Sequence, residues 1–298
     1  MFYILSHLKH DLVIIHDPQP LAMIQFSKKI QPWIWRCHMD VSNPNKEVLN
    51  FLKPFIEKYD GVVVSDEKYK KNVPKPAFII YPAIDPLSRK NQKFSEKRLA
   101  GCLEKDFGLD LSKPIISQIS RFDKWKDPEG VIKVFEKVKK KVPCQLVLLG
   151  NMARDDPEGV KVYDNIMKKY SNKKDIHIFC NVADNDFVVN ALQTKSAVVI
   201  QKSIREGFGL VVAEALYKGT PVVASKVGGI PLQISHGKNG FLHKPHDYTG
   251  FANSIIKILK DKGLREEMGK NAKESIIKKF LITSLMLDWL KIFEKYLK

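Results

Sequence analysis

The chain reads as an α/β protein with parallel sheets, built as two Rossmann-like domains of which the first is incomplete. Three observations predict this. Short apolar, β-branched runs alternate with helical stretches almost throughout, the pattern of strands joined by crossover helices. At 298 residues the chain is too long for one typical core and suits two. A proline-rich break, Tyr81-Pro82-Ala83-Ile84-Asp85-Pro86, interrupts the alternation and marks a link that ends near Asn91.

Taken in order, Leu12–His16, Ile34–His38, Gly61–Ser65 and Ala77–Tyr81 are the expected strands of the first domain, with helices near Leu21–Lys29 and Lys46–Tyr59 between them. Beyond the link, strands are expected at Ile115–Ser120, Gln145–Gly150, Ile176–Cys180, Ala197–Gln201, Pro221–Ser225 and Gly240–His243, a full Rossmann-like set. A last helix is expected near Ile282–Tyr296. The expected divisions are 1–88, 89–280 and 281–298. Four strands fall short of the usual six in the first domain, and a sheet that starts midway exposes an edge that favours association. Two partners fit such an edge: a separate polypeptide that supplies the missing strands, or a second copy in a homodimer. No internal repeat or low-complexity tract interrupts this scheme.

Composition narrows the class. With 44% hydrophobic and 28% charged residues the chain is a globular one, and no apolar run approaches the length of a membrane span. The first ten residues lack the basic start and small-residue cleavage site of a signal peptide, so a cytoplasmic location is expected. Cys37, Cys102, Cys144 and Cys180 are scattered without a C-x-x-C pair and read as reduced thiols. The net charge of +17 raises nucleic acid as a partner. Only seven of the 50 basic residues are arginine, however, and the lysines mostly mark outer helix faces. With no zinc finger, RRM signature or basic zipper present, nucleic acid is the less favoured reading, and an anionic small molecule suits the charge better.

The most informative stretch is Arg205-Glu206-Gly207-Phe208-Gly209-Leu210-Val211-Val212-Ala213-Glu214-Ala215-Leu216. Gly207 and Gly209 allow a tight turn and close approach of a ligand. The amides from about Phe208 to Val211 then open a helix and form a ready anion site. Glu206 lies in the turn and Glu214 within the helix. A phosphate flanked by hydroxyls at both ends, as in a nucleotide sugar, fits an amide cluster between two carboxylates. The bland alternative is a buried strand-to-helix turn with two incidental acids. It weakens because a partner motif stands upstream. That motif is Ser120-Arg121-Phe122-Asp123-Lys124-Trp125-Lys126-Asp127-Pro128, which follows a strand and ends in an Asp N-cap with Pro at the first helical position. Arg121 and Lys126 on such a loop can hold a diphosphate from two directions. Lys124 reads as a solvated cation.

Together these segments resemble the donor-binding domain of the retaining GT-B glycosyltransferases of family four, whose marks are the Arg-x5-Lys pair and the Glu-x7-Glu pattern. His16-Asp17-Pro18-Gln19-Pro20, Trp35-Arg36-Cys37-His38-Met39-Asp40, Met152-Ala153-Arg154-Asp155-Asp156-Pro157-Glu158-Gly159 and Ser203-Ile204-Arg205-Glu206-Gly207-Phe208-Gly209 are similar to the trehalose glycosyltransferring synthases of archaea and thermophilic bacteria. The resemblance runs from about Asp11 to the C-terminus. It implies a GT-B fold, two Rossmann-like domains facing across a cleft, with the last helix crossing back to the first domain. It implies a hexosyltransferase that moves α-glucosyl from UDP- or ADP-glucose to glucose, with retention, forming trehalose. Attack would come from the leaving-group face, with the departing phosphate as base. No tightly bound cofactor and no metal are expected.

The resemblance also implies roles. Arg121 and Lys126 would stabilise the departing diphosphate, Glu206 would orient the donor sugar, and His38 would contact its hydroxyls. Gly207, Phe208, Gly209 and Leu210 would line the phosphates, Glu214 would hold the ribose diol, and Asn181 and Val182 would lie near the base. His16, Asp17, Gln19, Arg36 and Asp40 would serve the acceptor, with Arg36 alternatively a salt-bridge partner of Asp40. Members of this family begin with a strand and a Gly-rich loop, and none precedes Asp11. The N-terminal part is therefore expected to be missing, through truncation, a split gene or decay. On that expectation the chain binds nucleotide sugar but is inactive alone, or needs a separate N-terminal polypeptide to transfer sugar.

Three further stretches complete the reading. Asp184-Asn185-Asp186 spells D-x-D but precedes a helical run, and an Asx N-cap explains it without a metal. Val227-Gly228-Gly229-Ile230-Pro231 fits simple turn chemistry or close packing at the donor site equally well. Gly237-Lys238-Asn239-Gly240-Phe241 reads as a hairpin-like turn.

Overall fold

The computed structural model describes residues 10–74, 76–152 and 157–297. Residues 153–156 of the stretch starting at Met152 lie outside the described residues, as do the first nine, on which the leader reading rests. The chain falls into two compact units, one within Met1–Ala83 and Ile282–Lys298, the other Ile84–Leu281.

The described residues of the first unit form four parallel strands in the order β1-β2-β3-β4: β1 Val13–His16, β2 Trp33–Arg36, β3 Gly61–Val64 and β4 Ala77–Ile79. Successive side chains in a strand point to opposite faces, and both faces here are apolar. Val13, Ile15, Trp33, Trp35, Val62 and Val64 pack on one side with Leu21, Ile56, Tyr59 and Tyr69. Ile34, Val63 and Ile80 pack on the other with Ile292, Leu285 and Trp289. The first face is covered by α1, Lys46–Ile56, which starts where Asn45 Oδ1 accepts the amides of Glu47 and Val48 at 2.9 and 3.2 Å. The second is covered by the last helix, Ile282–Tyr296, called α9 below. Tyr296 Oη donates to the Asp60 carbonyl at 2.7 Å, and Gly61 makes room, since a Cβ there would lie 2.8 Å from that hydroxyl.

The expected helix over Leu21–Lys29 is a 3-10 segment confined to Leu21–Phe26, opened by the three-residue-spaced bonds Leu21 N to Pro18 O and Met23 N to Pro20 O. α1 likewise stops at Ile56, three residues early, with Pro54 in its last turn.

The second unit carries six parallel strands in the order β10-β9-β8-β5-β6-β7. They are β5 Ile115–Ile119, β6 Gln145–Gly150, β7 Ile176–Cys180, β8 Val198–Gln201, β9 Val222–Ser225 and β10 Gly240–His243. The helices are α2 Glu96–Gly101, α3 Pro128–Lys139, α4 Pro157–Tyr170, α5 Asn185–Lys195, α6 Leu210–Tyr217, α7 Tyr248–Lys260 and α8 Lys262–Lys279. Alternation again splits the core. Ile116, Leu146, Leu148, Val198 and Ile200 pack with α3 and α7, through Val131, Phe135, Phe251 and Ile255. Ile115, Ile119, Val147 and Leu149 face the other way, onto Leu99, Phe187, Ala191 and Leu192 of α2 and α5.

From β5 the chain steps outward to β6 and β7, then returns to the far side of β5 for β8 and steps outward again to β9 and β10. The strand order therefore reverses between β5 and β8, and the crevice outside their carboxyl ends is where such sheets bind ligands. Because β10 runs parallel to β9, Gly237–Phe241 is not a hairpin. It is a turn closed by Gly237 N donating to Gly240 O at 2.8 Å, with Asn239 Nδ2 donating to Gln233 O and Ser275 Oγ at 3.0 Å. No helix among the described residues is long and apolar enough to cross a membrane.

Gly150 closes β6 so near the next loop that a Cβ would lie 2.2 Å from the Ser120 carbonyl. Gly150→Ala must therefore displace backbone at the β5 carboxyl end. It is expected to destabilise the fold by about 1–3 kcal/mol, measured by denaturant unfolding; wild-type stability would contradict the close packing.

Candidate functional site

The two loops that flank the strand-order reversal meet. Residues 120–127 follow β5 and residues 202–209 follow β8, and Lys126 Nζ donates to Glu206 Oε2 at 2.6 Å across the gap. Both side chains are mostly enclosed, at 16% and 11% exposure. The same carboxylate oxygen accepts from Ser203 Oγ at 3.1 Å and Gln201 Nε2 at 3.3 Å. Asp123 shapes the first loop by accepting the amides of Trp125 and Lys126 at 2.9 and 3.0 Å. Asp127 then caps α3 through Gly130 N at 3.0 Å, as the Asp-Pro signal predicts. Lys126 and Glu206 are thus brought together. Arg121 is not: its side chain is 61% exposed, with Nη2 3.3 Å from Asp123. Lys124 is a surface cation paired to Glu158 at 2.8 Å.

The Gly-Phe-Gly turn leads into α6 with Gly209 at φ 81° as its N-cap. Val212 N donates to the Gly209 carbonyl at 2.9 Å, and the amides before it, at the start of α6, have no acceptor within their own helix. Phe208 is buried against Phe280, with ring centroids 5.5 Å apart. Gly229 N donates to Gly207 O at 2.7 Å, and a Cβ on Gly228, at φ 53°, would lie 1.7 Å from the Glu206 carbonyl. Gly228 thus combines the positive φ of a turn glycine with close packing beneath the Glu206 turn.

Glu214 lies in the second turn of α6, 7% exposed. It shares no partner with Glu206. Gln193 Nε2 donates to Oε2 at 3.2 Å, and Lys90 Nζ lies 3.7 Å from Oε1. An ionised carboxylate can accept about four hydrogen bonds, so this one keeps acceptor capacity. One turn on, Lys218 donates to Asn91 Oδ1 at 2.8 Å; burial pushes its ammonium down to about 8, against the pull of Glu214. Asn181 follows β7 in the left-handed region and its Oδ1 accepts Met152 N at 3.0 Å; Val182 packs into the core on the α5 side.

Asp184 stands at the N-cap of α5, but its side chain makes no cap bond there. Arg89 takes it instead in a two-pronged pair, which holds the carboxyl below its ordinary range, and Lys90 lies 3.7 Å from Asp186. The Asx-cap explanation of this D-x-D is corrected accordingly: both acids are engaged by cations.

In the first unit, the carboxyl ends of β1 and β2 gather a second group. His16 Nδ1 and His38 Nε2 share a hydrogen bond of 2.8 Å. Asp17, at φ 63°, accepts His38 N on Oδ1 at 3.0 Å. Partial desolvation, with the Arg36 guanidinium adding to it, lowers the His38 pKa. Arg36 is buried, and burial lowers it to about 10, still charged at neutral pH. Its Nη1 has no hydrogen-bond partner. Asp40 accepts instead from Ser42 N and Oγ, at 2.8 and 2.6 Å, so the Arg36–Asp40 salt bridge is not formed. Gln19 is exposed.

Sequence reasoning gave no role to Gln201, Lys202, Gln193 and Lys90, and quoted Ser203 only as part of a motif. The polar run Gln201-Lys202-Ser203 at the end of an apolar strand was a usable signal for three of these. Gln193 and Lys90 come from distant segments that no local pattern links to Glu214.

The profile of the Glycosyl transferases group 1 matches residues 103–275, and that of the Trehalose synthase, N-terminal domain, matches residues 2–71. Trehalose synthases of Thermococcus litoralis and Pyrococcus furiosus are each 45% identical over 290 residues, covering 96% of this chain and 70% of theirs. That of Rubrobacter xylanophilus is 45% identical over 294 residues, with the same coverage. Among solved structures, Anabaena HepE in complex with UDP-glucose superposes with a TM-score of 0.82 at 20% identity, covering 96% of this chain and 79% of that one. Thermosynechococcus elongatus sucrose-phosphate synthase superposes at 0.77 and 20%, covering 98% and 76%. These likenesses show the shared GT-B fold.

One titration follows from the histidine pair. The folded chain holds the His38 proton less tightly than the unfolded chain, whose value is about 6.5. The unfolded state therefore binds more protons just below that pH, and the contribution of neutral, partly desolvated His38 to stability, full above it, is lost as pH falls through the lower folded value. NMR titration is expected to give a His38 midpoint below that of a free histidine. A midpoint at or above it would contradict the partial desolvation of His38.

Proposed function

This chain belongs to the glycosyl transferases group 1, among the trehalose synthases; it is a glycosyltransferase, and we propose that it moves α-glucosyl from a nucleoside diphosphate glucose to glucose, with retention, forming trehalose. The observation that carries the reading is the Lys126–Glu206 pair, set over the strand-order reversal and beside the opening amides of α6. The UDP-glucose in the similarly folded Anabaena HepE supports a donor of this class.

In the proposed reaction the anomeric hydroxyl of the acceptor attacks C1 of the donor from the leaving-group face. The bond from C1 to the diphosphate oxygen breaks, and that oxygen takes the acceptor proton. Lys126 and Arg121, with the α6 amides, stabilise the charge that grows on the diphosphate. Lys126 neutralises Glu206 in the free chain, so an arriving diphosphate competes for a cation already in place. Released from Lys126, Glu206 accepts hydroxyls of the donor sugar. Glu214 uses its unfilled acceptor capacity for the ribose diol, and Asn181 and Val182 lie toward the base. In the first unit, His38 serves the transferred sugar, and His16, Asp17, Gln19, Arg36 and Asp40 serve the acceptor. The orphaned Arg36 Nη1 supports that assignment most strongly, and the Asp40 carboxylate, already used by Ser42, supports it least.

Arg121→Ala and Lys126→Ala are each expected to weaken nucleoside diphosphate binding by about 1.5–3 kcal/mol, the cost of a charge-assisted contact. Calorimetry with UDP and ADP reads this, with Lys124→Ala as a control that changes little. Unchanged affinity in the folded Arg121 and Lys126 variants would overturn the donor-site assignment.

The two acids should separate. Glu214→Gln is expected to weaken binding of the nucleotide alone, and Glu206→Gln to leave it nearly intact while reducing turnover of the sugar donor. The opposite pattern would mean that the donor lies the other way round in the site.

A further inference from the structure

Lys202 is a charged side chain with no exposure at all, directly after β8. Its Nζ is bonded to Asp127 Oδ2 and sits over the ring of Tyr248, 4.3 Å from the centroid. Asp127 is the residue after Lys126. The residue before it, Trp125, is also tied to the β8 loop: Ile204 N donates to the Trp125 carbonyl at 2.7 Å, and the Arg205 guanidinium lies 5.0 Å from its ring centroid. Lys126 is therefore bracketed, with both chain neighbours fastened to the loop that carries Glu206. Charge crosses the crevice in both directions. The β5 loop offers Lys126 forward and Asp127 behind; the β8 loop offers Glu206 forward and Lys202 behind.

The two pairs differ in what a ligand can do to them. The forward pair is partly open, and a diphosphate that recruits Lys126 must loosen it. The rear pair lies behind the site, with its lysine fully enclosed. A buried ion pair adds little net stability compared with a well-packed apolar substitute, so fold stability does not account for placing a lysine here. We infer that Lys202 is a positioning residue: with Asp127 it holds the Lys126 loop in register with the Glu206 loop once substrate has taken Lys126 away from Glu206. This rests on the function proposed above. It assigns to Lys202 a role that matters in the reacting complex rather than in the free chain.

The test uses the double variant Lys202→Met with Asp127→Asn, which removes both charges together, keeps apolar packing at 202 and a good helix cap at 127, and leaves neither charge stranded. It is expected to unfold at close to the wild-type temperature and to bind UDP or ADP with little change in Kd. The kcat for glucosyl transfer is expected to fall by up to about 100-fold, the scale of a misplacement near 1 Å, with KM little altered. Either single change is expected to lower the unfolding temperature, because it leaves the other charge unpaired. Wild-type kcat in the folded double variant would overturn the inference. So would a loss of folding stability in the double variant that matches its loss of kcat, which marks a merely structural role. Should the double variant not fold, Lys202→Met, whose remaining Asp127 carboxylate is partly exposed, decides on the same kcat readout. Failure of the wild-type chain to bind either nucleotide would instead remove the proposed function, and this inference with it.

Discussion

The reversal of strand order between β5 and β8 is the constraint on which the rest of the second unit depends. A parallel sheet delivers every carboxyl end to one edge, and the connections that follow must leave that edge for one face or the other. After β5 the chain enters α3, which packs into one core; after β8 it enters α6, whose Val211 packs into the opposite one. The two loops separate as they depart, and between them the edge is left to side chains. What the sequence places there is charge: Lys126 and Asp127 from one side, Lys202 and Glu206 from the other.

Partly enclosed charge is expensive unless it is paired and hydrogen-bonded. The site meets that demand in two ways. Glu206 is well provided for, with Lys126, Gln201 and Ser203 all donating to one oxygen. Glu214 is provided for thinly, by one amide and a cation at 3.7 Å. The first arrangement suits a group that exchanges partners when an anion arrives, because the polar donors stay after the lysine leaves. The second suits a group that waits for hydroxyl donors. The close glycine packing beneath the Glu206 turn, where Gly228 leaves no room for a Cβ, restrains the turn.

Much of this was legible before the fold was known. Continuous apolar runs located the ten strands of the described residues to within a residue or two, and Asp127-Pro128 located the start of α3, because these signals are local. The glycine spacing around Glu206 likewise marked a strand-to-helix turn. What stayed hidden depends on partners far apart in the chain. Lys202 reads as one lysine among many until the sheet sets it against Asp127, 75 residues earlier. Asp184 reads as a helix cap until Arg89 is seen to take its carboxylate. Arg36 and Asp40, four residues apart at a strand end, look like natural partners, yet Ser42 lies closer to Asp40 and forms a local turn. The hairpin expected at Gly237–Phe241 failed for a related reason: turn chemistry is local, but strand direction is decided by the whole sheet.

The central claim is that a nucleoside diphosphate takes Lys126 from Glu206 at the β5–β8 crevice. A crystal structure with a bound nucleoside diphosphate sugar tests it most directly. Phosphate oxygens are expected within hydrogen-bond reach of Lys126 Nζ and the first amides of α6. The Lys126–Glu206 distance is expected to open beyond its present 2.6 Å while Ser203 and Gln201 keep hold of the carboxylate. A diphosphate bound elsewhere, with the Lys126–Glu206 pair intact, would contradict it.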